Sequence, residues 1–231
     1  MHAMQSPAGS RKVFLLLVVV CTAAGIHART PRALLDSSSS DSVATIYKDG
    51  LQSGWGSWSW GTKTLNLQDS GNVMSGSKYA LCATLAPYGA VSLKSNIPFT
   101  LDGILGLYIH STGGATTSSN TSFSLGDLEL QFESSAPSSY TISRSYTLSE
   151  LLNRQGWIDG KSPDTMLHNI ESNGWESLKV QMGGFAPSGT DSAKYDRITL
   201  GSCLQRFDLC TGKTVPDIYL CLDKLVMVSG G

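Results

Sequence analysis

From Val43 onwards the chain is built of short runs of β-branched, aromatic and aliphatic residues, cut roughly every eight to fifteen residues by Gly, Ser, Asn, Asp or Pro clusters. Runs this short bury one face each only if they pair and stack, so the rhythm points to a sandwich rather than to helices or a parallel sheet. The predicted strands are 43–47, 56–66, 78–84, 91–94, 106–110, 127–133, 140–145, 176–182, 196–200 and 217–228. Several alternate with period two: Leu105, Leu107 and Ile109 oppose Tyr108 and His110; Leu128, Leu130 and Phe132 oppose Glu129, Gln131 and Glu133; Leu178, Val180 and Met182 oppose Lys179 and Gln181. The expected fold is all-β, an antiparallel β-sandwich, jelly-roll-like, with one or two short helices. Thr147 and Glu150 have capping-box spacing for a turn or two of helix, and Ser162-Pro163 can start another with Met166, Leu167 and Ile170 buried.

The first residues stand apart from this rhythm. Arg11 and Lys12 precede an apolar run, 13–24, and then small residues, which reads as a secretory signal peptide over 1–28, cleaved after Gly25 or Ala28. The run is far short of the ~20 residues of a membrane-spanning helix, so no membrane span is expected after cleavage. A serine-rich flexible linker is read over 29–42, and one sandwich domain over 43–231. Secretion also frames the cysteines. With Cys21 inside the signal, Cys82, Cys203, Cys210 and Cys221 remain, an even number that fits two disulfides in an oxidising compartment. Four cysteines permit three pairings. The reading favours Cys203 with Cys210 across a short loop and Cys82 with Cys221, both of which sit in strand-like runs. A zinc site fits worse, because no CxxC or paired histidine is present. Asn120-Thr121-Ser122 is a glycosylation acceptor in a polar stretch. The net charge of −1, with no basic run outside the signal, argues against nucleic acid or an anionic membrane as partner.

Ile46-Tyr47-Lys48-Asp49-Gly50-Leu51, then Gly54-Trp55 and Trp58-Ser59-Trp60-Gly61, resemble the first two strands of secreted jelly-roll domains related to carbohydrate-binding modules, galactose-binding-like β-sandwiches. The segments 175–182, 195–200 and 218–225 resemble that group's last three strands. The resemblance implies a sandwich with a glycan-contacting sheet face or rim and, in some members, a structural calcium ion. It names no sugar. Such modules often accompany an enzyme, whereas here the module is expected to stand alone.

Sugars stack their CH-rich faces on flat rings while polar groups satisfy the hydroxyls, so Trp55, Trp58 and Trp60 draw attention. Tryptophans in a short β-domain commonly fill the core; at least one of Trp58 and Trp60 is expected there, while Trp55, beside a glycine, is the ligand candidate. The second candidate surface is the wet side of the alternating strands, with Tyr108, His110, Glu129, Gln131, Glu133, Lys179 and Gln181. Trp157 and Trp175 follow glycines and read equally as hinge packing. Asp223 lies among Leu220, Cys221, Leu222 and Leu225, where a charge requires a partner; calcium shared with Asp49 supplies one, and Lys224 or Arg197 another. Extracellular carbohydrate binding by a stand-alone lectin-like module, with a polysaccharide or glycan as partner, is therefore the expected function. The alternatives are a polysaccharide lyase or glycoside hydrolase on the same polar face, with Tyr108 or His110 as base, and a structural matrix or cell-wall protein. Glu129 and Glu133 lie ~13 Å apart along one strand, too far to be a hydrolase pair. Gly-Lys-Ser at 160–162 lacks the context of a phosphate loop and reads as a turn.

Overall fold

The computed structural model describes residues 42–112, 123–136, 140–172, 174–190 and 192–229. The expected signal peptide, nearly all of the linker and Asn120 lie outside the described residues. Ten strands follow in order: β1 (Val43–Tyr47), β2 (Trp55–Ser57), β3 (Trp60–Asp69), β4 (Ala80–Phe99), β5 (Ile104–His110), β6 (Glu129–Glu133), β7 (Tyr146–Thr147), β8 (Glu176–Gln181), β9 (Tyr195–Gly201) and β10 (Ile218–Val228). Two helices, α1 (Leu148–Asp159) and α2 (Pro163–Glu171), lie between β7 and β8. All strand pairings are antiparallel, in the order β7-β6-β9-β4-β10-β5-β8, with β1 on β10 and β2 and β3 on β4.

One strand makes this a sandwich. The sequence predicts two strands, 78–84 and 91–94, because Pro87 and Gly89 break the run; β4 instead continues through both for 20 residues. Its first half pairs with β10, from Leu81↔Leu222 to Leu85↔Ile218, and with β3. Its second half pairs with β9, from Ala90↔Gly201 to Lys94↔Arg197, and with β2. Between the halves Tyr88 takes φ 63°, and the strand passes from one layer into the other, as bulges and bends allow at sandwich corners. Layer one holds β3, β10, β5, β8 and β1; layer two holds β2, β9, β6 and β7. Leu105, Leu107, Leu222 and Leu225 of layer one face Val91, Leu93, Leu130, Ile198 and Leu200 of layer two, around a residual apolar gap of about 20 Å³. The architecture is the expected jelly-roll-like antiparallel sandwich.

The bend depends on glycine. A Cβ built on Gly61 would lie 2.7 Å from Gly89 Cα, one on Gly89 would overlap Gly61 O, and one on Gly201 would lie 2.5 Å from Ala90 Cβ. Three backbones thus meet where no side chain fits.

Both helices start as their sequences predict. Thr147 Oγ1 accepts from Glu150 N (3.2 Å) while Glu150 Oε2 accepts from Thr147 N (2.8 Å), and Ser162 caps α2 with Pro163 at its first turn. α1 runs for 12 residues, longer than the expected turn or two, because Leu148, Leu151 and Leu152 all join the core. Its Gln155 Oε1 accepts from Lys179 N of the edge strand β8 (3.1 Å), which blunts an otherwise unpaired edge. Of the expected strand 140–145 only a single bridge, Glu133↔Ile142, forms, with β7 just beyond it. The Ser143 hydroxyl accepts from Phe132 N (2.8 Å) beside the backbone bond from Ser143 N to Phe132 O (2.9 Å). The disulfides pair as favoured: Cys82 with Cys221 between directly opposed positions of β4 and β10, and Cys203 with Cys210 across the loop after β9. Among the described residues no helix is long and apolar enough to cross a membrane.

Glu171, at the end of α2, is buried with no hydrogen-bond partner for either carboxylate oxygen among the described residues. Burial pushes its carboxyl up to about 7. A folded-state pKa above the unfolded value means that its contribution is fully present below the unfolded pKa and is lost as pH rises through about 7. Glu171→Gln is therefore expected to raise the melting temperature by a few degrees at about pH 8.5, equivalent to roughly 1–3 kcal/mol, and to leave it nearly unchanged near pH 4.5. His110, whose pKa burial lowers, acts in the opposite direction, losing stability as pH falls below its unfolded value. It is common to both proteins, so the difference between their melting curves isolates Glu171.

Candidate functional site

Alternation along β5, β6 and β8 holds as read, with the leucines inward, but the polar sides do not form one face. β5 and β8 belong to layer one and β6 to layer two. Period two fixes which residues share a side of a strand; it carries no information on which layer a strand joins or on what covers it. Tyr108 is half-buried with Lys224 Nζ 5.8 Å from its ring centroid. His110 is 2% exposed, stacks on Trp175 with ring centroids 5.1 Å apart and shares a hydrogen bond with Gly174 O through Nδ1 (3.1 Å). Lys179 and Gln181 are exposed beside Arg154 of α1. Glu129 is wholly buried, its carboxylate accepting from the backbone amides of Leu204, Gln205 and Arg206 at 2.8–3.3 Å. It anchors the loop closed by Cys203 and Cys210.

The tryptophans are also redistributed. Trp55, the ligand candidate, is half-buried, with its ring 6.1 Å from Phe99 and packed on the core. Trp58 and Trp60, of which at least one was expected inside, are 54% and 40% exposed. Trp58 falls opposite Ser92 and Trp60 opposite Ala90, on the side of the strands away from Leu93 and Val91, and Ser59 Oγ accepts from Ser92 N (3.1 Å). Trp58 N donates to Ser92 O (2.8 Å), which fixes the residue at the rim of layer two. Trp60 Nε1 donates to Tyr88 O (3.2 Å), and Tyr88 is itself 56% exposed.

Trp58 stands over the outer side of layer two, where two rows of polar residues cross three strands. Lys94, Arg197 and Glu133 are register neighbours, as are Ser92, Thr199 and Gln131. With Val91, Leu93, Ile198 and Leu200 turned to the core, these residues lie on the opposite side of the sheet, where Ser92, Thr199, Gln131 and Glu133 are nonetheless buried and Lys94 and Arg197 are partly exposed. Ser92 Oγ lies 2.9 Å from Thr199 Oγ1, which donates to Glu133 Oε1 (2.8 Å), and Gln131 Nε2 donates to the same oxygen (3.0 Å). Arg197 Nη2 pairs with Glu133 Oε2 at 3.0 Å. Tyr140, 59% exposed, points its hydroxyl at Glu133 Oε2 (3.5 Å). Burial and the nearby carboxylate raise its pKa, so the phenol stays a donor and is unsuited to act as a base. Lys94 Nζ lies 4.5 Å and Arg197 Cζ 5.7 Å from the Trp58 ring centroid, within range of cation–π attraction. The result is an indole ring held by two fixed cations and half open to solvent, flanked by donors and acceptors whose own partners set their orientation. Gln131 and Glu133 are the members of this group that the polar-face reading named. An exposed aromatic over a pre-organised, buried polar network can stack on a flat apolar surface while Lys94, Arg197 and Tyr140 meet its rim.

The expected calcium ligands behave differently from each other. Asp49 Oδ1 accepts from Lys78 N (2.5 Å) and Tyr79 N (3.0 Å), and these bonds hold its pKa low. Asp223 is fully buried; Oδ1 accepts from Lys224 N (2.7 Å), while Oδ2 has no partner among the described residues. Tyr47 is raised in pKa by burial and then by the charges of Asp223, Asp49 and Asp69, so the three carboxylates share one neighbourhood. Among the described residues no group of three or more His, Cys, Asp or Glu could hold a metal. The loop 70–79 covers this region: Asn72 donates to Tyr219 (2.8 Å), Lys224 Nζ donates to Ser75 O (3.3 Å) and Val73 packs on the Cys82–Cys221 bridge.

The chain matches no protein-family profile and no curated protein. Among solved structures it is similar to a mutant of a family 29 carbohydrate-binding module, with 18% identity and a TM-score of 0.45 over 82% of this chain and 93% of that one. Variants of such a module complexed with mannohexaose and with cellulohexaose each align at 18% identity and a TM-score of 0.44, over 82% of this chain and 93% and 92% of theirs. Superposition at this level carries nothing about residues or ligands.

Proposed function

We propose that this chain is a secreted carbohydrate-binding protein that holds a polysaccharide or glycan on the outer face of layer two. The observation that carries the reading is the Trp58 indole, exposed on a sheet face where aromatic rings ordinarily turn inward and braced by Lys94 and Arg197. A ring so placed offers a pyranose an apolar platform, and the exposed Tyr140 with the partly exposed Lys94 and Arg197 lies beside it to meet its hydroxyls, held from below by the buried Glu133 and Gln131. The two disulfides and the amino-terminal apolar run support export to an oxidising compartment. A glycan array probed with the purified protein is expected to show binding to one class of polysaccharide. Silence across plant, algal, fungal and bacterial glycans would sink the reading.

A structural calcium ion belongs to the same proposal. The unpaired Asp223 Oδ2 is a buried carboxylate oxygen of the kind hard cations take, and Asp49, which shares the neighbourhood of Tyr47 with it, is its proposed companion. Chelator is expected to lower the melting temperature by several degrees, with Asp223→Asn insensitive to it. An unchanged midpoint in the native protein counts against the ion.

A further inference from the structure

Next to the Trp58 platform lies a cavity of about 580 Å³ lined by Lys94, Lys194, Asp196, Ser134, Ser135 and Ser192, among others. Its size falls within the ~300–1,000 Å³ typical of ligand pockets. Lys94 belongs to both places: its Nζ lies 4.5 Å from the Trp58 ring centroid and 3.8 Å from Asp196 Oδ2. A sugar chain stacked on Trp58 therefore reaches the cavity mouth without leaving the face.

The charge inside is unbalanced. Asp196 is the only acid among the described lining residues, and it is engaged from several sides. Ser135 N donates to Oδ1 (2.9 Å) and the Ser135 hydroxyl to Oδ2, with Lys94 at 3.8 Å and Arg197 Nε at 3.9 Å. Lys194 adds a second lining cation, exposed and with no carboxylate within ion-pair distance among the described residues. The hydroxyls of Ser134, Ser135 and Ser192 complete a wall suited to a sugar ring, and the surplus positive charge suits an anion.

We propose that this cavity is a second subsite, taking an anionic sugar substituent, a uronate carboxylate or a sulfate ester, on the polysaccharide held by Trp58; the assignment rests on the platform reading above. A substituent bound there projects from the stacked backbone and meets Lys194 and Lys94 in a partly desolvated recess. The neutral backbone binds without it, more weakly.

The test is a fluorescence titration of the protein against uronate-bearing and sulfated polysaccharides, each in native form and after carboxyl reduction or desulfation. The native form of at least one pair is expected to bind about five- to tenfold tighter than its neutralised form, the gap shrinking in high salt. Lys194→Ala should close that gap and Lys194→Arg keep it, while both variants bind the neutral form as the native protein does. Which arm shows the gap tells carboxylate from sulfate. Equal affinity for both forms of every pair overturns the subsite and leaves the platform standing, and a gap that survives Lys194→Ala overturns it too. Absence of binding to all forms, neutral ones included, overturns both.

Discussion

Trp58→Ala is expected to weaken polysaccharide binding by roughly 30-fold or more without disturbing the fold. A tryptophan at the centre of a recognition surface commonly accounts for about 2 kcal/mol or more of binding, which is about 30-fold in affinity. The side chain is 54% exposed, so its loss opens no interior cavity, and exposed substitutions of this kind change stability by about 0.5 kcal/mol at most. Trp58→Phe, which keeps a flat ring, should recover part of the affinity. Calorimetric titration with the glycan found on the array, beside melting curves, reads both quantities. Native affinity in Trp58→Ala, with loss instead in Tyr108→Ala, would move the site to layer one. Arg197→Ala is a poorer probe, because it strands the 4%-exposed Glu133 carboxylate and confounds binding with stability.

The largest structural effect is expected at Gly89. In Gly89→Ala the new methyl overlaps Gly61 O and lies 2.9 Å from Ala86 O. Both obstacles are backbone, so no rotamer change relieves them, and the bend of β4 must open. A cost above about 3 kcal/mol is expected, a fall in melting temperature of roughly 6–12 °C for a domain of this size, or failure to fold. Gly160→Ala is the control. Gly160 ends α1 at φ 67° with nothing within 4 Å of an added Cβ, so it carries only the left-handed strain of about 1 kcal/mol. Equal melting of the two variants would show that the crowding at Gly61 and Gly89 is relieved cheaply.

Strand rhythm, helix starts and cysteine pairing were legible in the sequence because each depends on neighbours in the chain or on the short distance across one pair of strands. Thr147 and Glu150 find each other within one helical turn, and the Leu105, Leu107 and Ile109 side is set by the pleat alone. The site was less legible. Trp58 is outside because its register sets it opposite Ser92, 34 positions away, on the side turned from the core, and Glu129 is inside because a distant loop turns three amides towards it. Pro87 and Gly89 are breakers by local chemistry, yet pairing with β3 and β10 before the bend and with β2 and β9 after it keeps β4 whole. Gln131 and Glu133 were found by alternation; Lys94 and Tyr140 carried no signal separate from any surface residue, and Arg197 was read only as a candidate partner of Asp223.

The continuity of β4 has a consequence beyond shape. The strand that holds Cys82 in the bridge to β10 also carries Lys94 under the Trp58 ring, so the covalent staple and the proposed ligand grip one rod from its two ends. Both layers hang on one continuous backbone, so a ligand bound at Trp58 is expected to slow opening, and proteolysis, of the layer that holds Cys82 as well as its own.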